Sequence, residues 1–184
     1  MTGVVMMGGM STRMGQDKSR LHVAGKPLYE LAAQKLATCC KKIYLSVNAR
    51  QAHESWDYPV VVDQYPGQGP LGGILSCLKT SDESLLILAV DMPLIEPEHL
   101  QVLIEAHHAT QMATAYFDRQ ADRWEGMLSV WEPAALPVLK ALFDNGHRSL
   151  AACLSRMNAQ PVMVQDPKHF LNLNRMEDVT QITW

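Results

Sequence analysis

TGVVMMGGMSTRMGQDK, residues 2–18, passes from a short apolar run into a loop rich in glycine, hydroxyls and charge. Thr2–Met7 reads as a buried strand, ended by Gly8-Gly9. Two adjacent glycines give the backbone conformations closed to other residues and let a ligand approach closely. Exposed N–H groups in such a turn form a concave anion site. Arg13 adds a planar fork for phosphate oxygens, and Lys18 a compact point charge. Ser11 and Thr12 add hydroxyl donors, and the whole reads as a triphosphate cradle. The spacing is neither G-x-x-x-x-G-K-[ST] nor G-x-G-x-x-G, so the P-loop and dinucleotide fingerprints are both missing.

Outward from this loop, strand and helix patterns alternate. Helices are expected at Leu28–Cys39, Gly73–Lys79, Pro97–His108, Pro133–Phe143, Ser149–Ser155 (with Ser149 as cap) and Met176–Gln181. Strands are expected at Lys42–Asn48, Pro59–Val62, Ser84–Val90, Met112–Phe117, Gly126–Trp131 and Pro161–Val164, with SLLILAV (Ser84–Val90) the strongest buried run. Gly67–Gly73, GQGPLGG, reads as a second glycine-rich turn. Alternation of this kind means βαβ units and a mainly parallel, mixed sheet covered on both faces, a three-layer Rossmann-like α/β fold in one domain, residues 1–184. Ligands bind beyond the carboxyl ends of strands in such sheets. Gly8-Gly9, Asp63 and Asp91 all follow strands, so three segments deliver polar chemistry to one edge.

The remaining composition narrows the function. The chain has 184 residues, is 47% hydrophobic and 19% charged, and carries a net charge of -3. That is ordinary globular composition, without the basic surface of a general nucleic-acid binder. Cys39, Cys40, Cys77 and Cys153 form no C-x-x-C pair, and scattered cysteines fit a reducing cytosol. No signal peptide or membrane span is expected, so the reading is a cytoplasmic protein. The seven histidines show no ligand spacing.

VVMMGGMSTRMGQDKSRLHVAGKPL (Val4–Leu28) resembles the opening signature of the molybdenum cofactor guanylyltransferases, L-A-G-G-x-S-x-R-M-G-x-D-K followed by G-K-P-L. Gly8, Gly9, Ser11, Arg13, Met14, Gly15, Asp17, Lys18 and Gly25–Leu28 match; Met6-Met7 stand where the family has Leu-Ala. The resemblance continues at Asp63 with the following G-P-L-x-G segment, at Asp91 in AVDMPLI, and at Asn172-Leu173-Asn174, and covers nearly the whole chain. It implies a nucleotidyltransferase fold and transfer of GMP from GTP to molybdopterin in its Mo form, with pyrophosphate released. It further implies nucleotide contacts at Met6, Met7, Gly8, Gly9, Lys18, Asn48, Asp63, Gly69, Pro70 and Asp91. Arg13, Lys18 and Asp91 would be catalytic, Asp91 would hold Mg²⁺, and Asn172 and Asn174 would lie on the acceptor side.

Those roles agree with the residue chemistry. Mg²⁺ prefers one or two carboxylates plus phosphate oxygens and waters, and Asp91 stands rigidly at a strand end. A carboxylate at Asp63 can accept two N–H donors from a guanine edge, which cytosine does not match; the same position suits a turn cap. An N-x-N pair also suits an Asx turn. Trp124 is a candidate for the acceptor pocket, and Asn145–Ser149 for an acceptor phosphate. Family partners would be other cofactor-assembly proteins and apo-molybdoenzymes. Rival readings are a related cytidylyltransferase or other nucleotidyltransferase, and a GTP-binding homologue without turnover.

Overall fold

The computed structural model describes residues 1–7, 17–23 and 25–173. The expected terminal helix Met176–Gln181 lies outside them. The apolar runs form strands β1 (Thr2–Met6), β4 (Lys42–Val47), β5 (Val60–Val62), β6 (Leu85–Ala89), β7 (Ala113–Asp118), β8 (Arg123–Trp131) and β9 (Gln160–Met163). A small antiparallel pair, β2 (His22–Val23) with β3 (Lys26–Pro27), follows the first loop, and Gly25 turns it at a φ of 80°. The helices are α1 (Leu28–Ala37), α2 (Pro70–Thr80), α3 (Pro97–Ala106), α4 (Ala135–Asp144) and α5 (Leu150–Arg156).

Seven strands of the described residues make one sheet in the order β5-β4-β1-β6-β8-β7-β9. Every pairing among β5, β4, β1 and β6 is parallel. β8 enters antiparallel between β6 and β7, and β9 pairs parallel to β7. The sheet is therefore mixed and mainly parallel on the side that carries β1.

Period-two alternation assigns each strand residue to a face. Val5, Leu86 and Leu88 point to one side and pack with Leu28, Ala32, Ala33 and Leu36 of α1 and Leu100 and Leu103 of α3. Val4, Met6, Leu85 and Ile87 point to the other and pack with Leu71, Ile74 and Leu75 of α2, Leu139 of α4 and Leu154 of α5. All five residues of β1 and of β6 are buried, as strands covered on both faces must be. Burying each leucine or isoleucine of this central pair contributes about 1.5–3 kcal/mol.

α2 starts at Pro70, three residues before the pattern suggested. Gly69, at a φ of 67°, lets the chain turn in, and Pro70 occupies the first turn. Gly72 and Gly73 lie inside the helix because other groups come too close for a side chain. A Cβ on Gly73 would stand 2.6 Å from Met6 Cε and 3.0 Å from Ser46 Oγ. β8 is also three residues longer at its start than expected, and its pairing with β7 shifts register between Ala115 and Tyr116. As its sequence suggested, Ser149 caps α5, its side chain accepting from Ala152 N.

Candidate active site

The sheet order reverses at β1. The chain moves outward from β1 to β4 and β5, then returns to place β6 on the other side. A crevice beyond the carboxyl ends of β1, β4 and β6 follows from that switch. Met7, Asn48 and Asp91 sit at those ends.

Two charged groups meet there. Lys18 reaches across to Asp91, with Nζ 3.7 Å from Oδ2, and donates a 2.8 Å hydrogen bond to Leu173 O. Leu173 N in turn donates to Asp91 O at 2.8 Å. Leu173 is buried, so the late segment is stapled across the crevice mouth by its backbone. Asp91 and Lys18 both remain partly open, with side chains 26% and 21% exposed. Burial raises the Asp91 carboxyl above its ordinary value, and the Lys18 charge only partly opposes this. A carboxylate so placed gains from a cation.

The segment after Asp91 is held from behind. Lys35 of α1 donates to Pro93 O and lies 3.8 Å from Glu96. Burial lowers the Lys35 ammonium from its usual value, with Glu96 opposing.

Asp63 follows β5, and its N–H donates to Val47 O. One carboxylate oxygen, Oδ1, accepts from Tyr65 N at 2.8 Å. Ser76 Oγ stands 3.4 Å from the same atom and donates at the shorter distance of 2.8 Å to Gly72 O. Asp63 thus does cap its turn, while no described hydrogen bond engages Oδ2. The Asp63 turn packs directly on α2. A Cβ on Gly72 would stand 2.8 Å from Tyr65 O and 3.1 Å from Asp63 Oδ1. Gly72→Ala is therefore expected to destabilise by about 1–3 kcal/mol, because the clash is with backbone. The helical gain of alanine over glycine, about 1 kcal/mol, offsets only part of that cost. A lowered Tm is the expected result; an unchanged Tm would contradict this packing.

The other sequence candidates fall as follows. Met6 and Met7 are 5% and 2% exposed, with Met6 packed toward α2 and Met7 in the core on the α1 side. The methionine at position 7 is absorbed by that core rather than presented as a side chain to the crevice. Asn48 spends its carbonyl oxygen on its own turn, accepting from Arg50 N and Gln51 N. Gly69 and Pro70 are exposed at the start of α2. Asn172 is exposed beside the stapled Leu173. Gly8, Gly9, Arg13 and Asn174 lie outside the described residues.

The antiparallel course of β8 puts its first residues at the same edge, past its last pairing with β6 at Leu88–Leu128. Trp124 stands there, its Nε1 donating to Ser155 Oγ and its ring edge-on to Phe117. The Arg148 guanidinium stacks on Phe143 and donates to Gln68 Oε1, in the turn that leads to α2.

The chain is thus a mixed, mainly parallel α/β protein with Lys18 and Asp91 paired at its switch point. Residues 3–162 match the family model described as the MobA-like NTP transferase domain, and the chain belongs to that family. A probable molybdenum cofactor guanylyltransferase from Chloroflexus aggregans is 30% identical over 97% of this chain and 91% of its own. The molybdenum cofactor guanylyltransferase of Syntrophotalea carbinolica is likewise 30% identical, over 96% and 88%. The molybdopterin-guanine dinucleotide biosynthesis protein A of Archaeoglobus fulgidus superposes with a TM-score of 0.80 at 24% identity, covering 98% of this chain and 96% of that one.

Proposed function

We propose that this protein transfers GMP from GTP to the terminal phosphate of Mo-loaded molybdopterin, forming molybdopterin guanine dinucleotide and releasing pyrophosphate. The observation that carries this reading is the meeting of Lys18, Asp91 and the Leu173 backbone at the carboxyl ends of β1 and β6. Full-length similarity to the named guanylyltransferases supports the choice of substrates.

An acceptor phosphate oxygen attacks the α-phosphorus of GTP. The new P–O bond forms as the bond from the α-phosphorus to the bridging oxygen breaks, and the electron pair leaves with pyrophosphate. The nucleophile is already ionised, so no general base is needed. What the protein supplies is position and charge. Lys18, fixed at its tip by Leu173 O, faces the phosphates and neutralises charge as the leaving group departs. The first loop would cradle the triphosphate, with Arg13 sharing that role. Asp63 Oδ2 would accept from the guanine edge while Oδ1 holds the turn rigid. Trp124 and Asn172 would line the acceptor side.

Asp91 fits a Mg²⁺ site: a hard oxygen donor, partly open, whose charge burial disfavours until a cation joins it. When bound there with phosphate oxygens and water, Mg²⁺ would supply charge neutralisation at the reacting phosphates. Asp91 and the GTP phosphates would be its holders. Such a role belongs to a cytoplasmic biosynthetic enzyme that hands its product to other assembly proteins and apo-molybdoenzymes. Among the described residues no helix is long and apolar enough to cross a membrane.

The test is pyrophosphate release with Mg²⁺ and Mo-loaded molybdopterin, comparing GTP, CTP and ATP. Release with GTP alone is the expected result. Release with CTP would overturn the guanine role of Asp63, and binding of GTP without release would overturn catalysis on this acceptor.

A further inference from the structure

Gln51 belongs to no motif, yet it is 5% exposed and its side chain makes two hydrogen bonds of opposite sense. Nε2 donates to Asp17 Oδ2 at 2.7 Å, and Oε1 accepts from Asn48 N at 3.1 Å. The bridge is closed from the other direction by Asn48 Oδ1, which accepts from Gln51 N. Gln51 O accepts from Trp56 Nε1 at 2.8 Å. The Trp56 ring meets Tyr29 edge-on and carries Arg20 over its face. Gln51 is thus a fixed post at the carboxyl end of β4.

What it holds is the exit of the first loop. Asp17 Oδ1 accepts from Ser19 N at 3.0 Å and Ser19 Oγ at 2.7 Å, so Gln51 completes a set of three donors on one carboxylate. The next residue is Lys18, whose ammonium reaches Leu173 O and Asp91. The entry of the same loop is tied to the same strand, by Met7 N donating to Ser46 O at 3.1 Å. Both ends of the loop are therefore referenced to β4. Lysine is a flexible point charge, so where its tip falls depends on how firmly its backbone is placed.

We propose that Gln51 is a positioning residue for nucleotidyl transfer, its amide fixing Asp17 and, through Asp17, the reach of Lys18 to the phosphates of GTP. This rests on the reading that Lys18 contacts those phosphates. Glutamine suits the place because one side chain must donate to a carboxylate and accept from a backbone N–H at once. Leucine can do neither, and glutamate would set a second carboxylate against Asp17.

The test is a double-mutant cycle on the full chain with Gln51→Leu, Lys18→Ala and the pair, and with Gln51→Glu in parallel. Gln51→Glu keeps the acceptor for Asn48 N and so keeps half of the bridge if leucine impairs folding. Turnover and the dissociation constant of Mg-GTP are both measured on protein of native circular dichroism. Misplacing a catalytic group by about an ångström can cost about 100-fold. The expected result is a 10- to 100-fold loss from each Gln51 substitution, roughly, and little further loss once Lys18 is gone. Losses that multiply would mark Gln51 as independent of Lys18 and overturn the proposal. So would either Gln51 variant at the parent rate and affinity while Lys18→Ala is impaired. Lys18→Ala at full rate and affinity would instead remove the phosphate role of Lys18, and this proposal with it.

Discussion

Asp91→Asn is expected to lower kcat by about 1,000-fold, or ~4 kcal/mol of transition-state stabilisation. Asparagine matches the shape but not the charge, so the loss measures what the carboxylate's charge contributes. Stability should move the other way. Burial raises the Asp91 carboxyl in the folded state. The stability this group contributes is therefore present in full below its ordinary value of 3.8 and is lost as pH rises through the raised value. At neutral pH its ionisation costs stability, and the neutral amide removes that cost. The expected Tm of Asp91→Asn at pH 7 is equal to or above that of the parent, with the difference shrinking toward pH 4. An inactive variant with a clearly lower Tm would make Asp91 a structural residue rather than a metal ligand. A fully active one would remove the metal role.

Lys18→Ala is the second large effect, at about 100-fold in kcat/KM. It removes a positive charge from the phosphates and the 2.8 Å bond that fastens Leu173. It also leaves burial of Asp91 less opposed, since the Lys18 charge lowers that carboxyl. Asp91 must be ionised to hold a metal, so the acid limb of the pH–rate profile should move to higher pH in Lys18→Ala. Lys18→Arg should recover part of the rate, because the charge returns in a different shape. Full activity of Lys18→Ala with an unmoved acid limb would exclude any contact between this lysine and the reaction.

The residues that matter most here differ in how plainly the sequence announced them. Asp91 was legible because Leu85–Val90 is an unbroken apolar run and the first charge after it must stand at a strand end. Asp63 was legible for the same reason, though the sequence left its cap and its recognition role as alternatives. The structure shows Oδ1 in the cap, so the proposed recognition role would fall to Oδ2. Gly72 was misleading. Glycine pairs ordinarily punctuate turns, but Gly72 lies inside α2, where Tyr65 presses too closely for a Cβ. Met7 stands where the family has Ala, and its side chain is buried in the core on the α1 side.

Leu173 stood only as the unspecified middle residue of the N-x-N segment, and Gln51 and Lys35 carried no sequence signal. Leu173 acts through its backbone, which has the same groups in every residue. Gln51 and Lys35 act across 34 and 58 positions of chain, on Asp17 and Pro93. Such contacts arise only once β4, α1 and the first loop are folded together. The antiparallel entry of β8 was equally hidden, because an apolar run buried on both faces shows no direction.

The most direct test of the account uses GTP labelled at the α-phosphorus, incubated with the protein, Mg²⁺ and Mo-loaded molybdopterin. Label is expected to move into the pterin product, one for each pyrophosphate released. Label that appears as free GMP, or stays in GTP while GTP is bound, would contradict it.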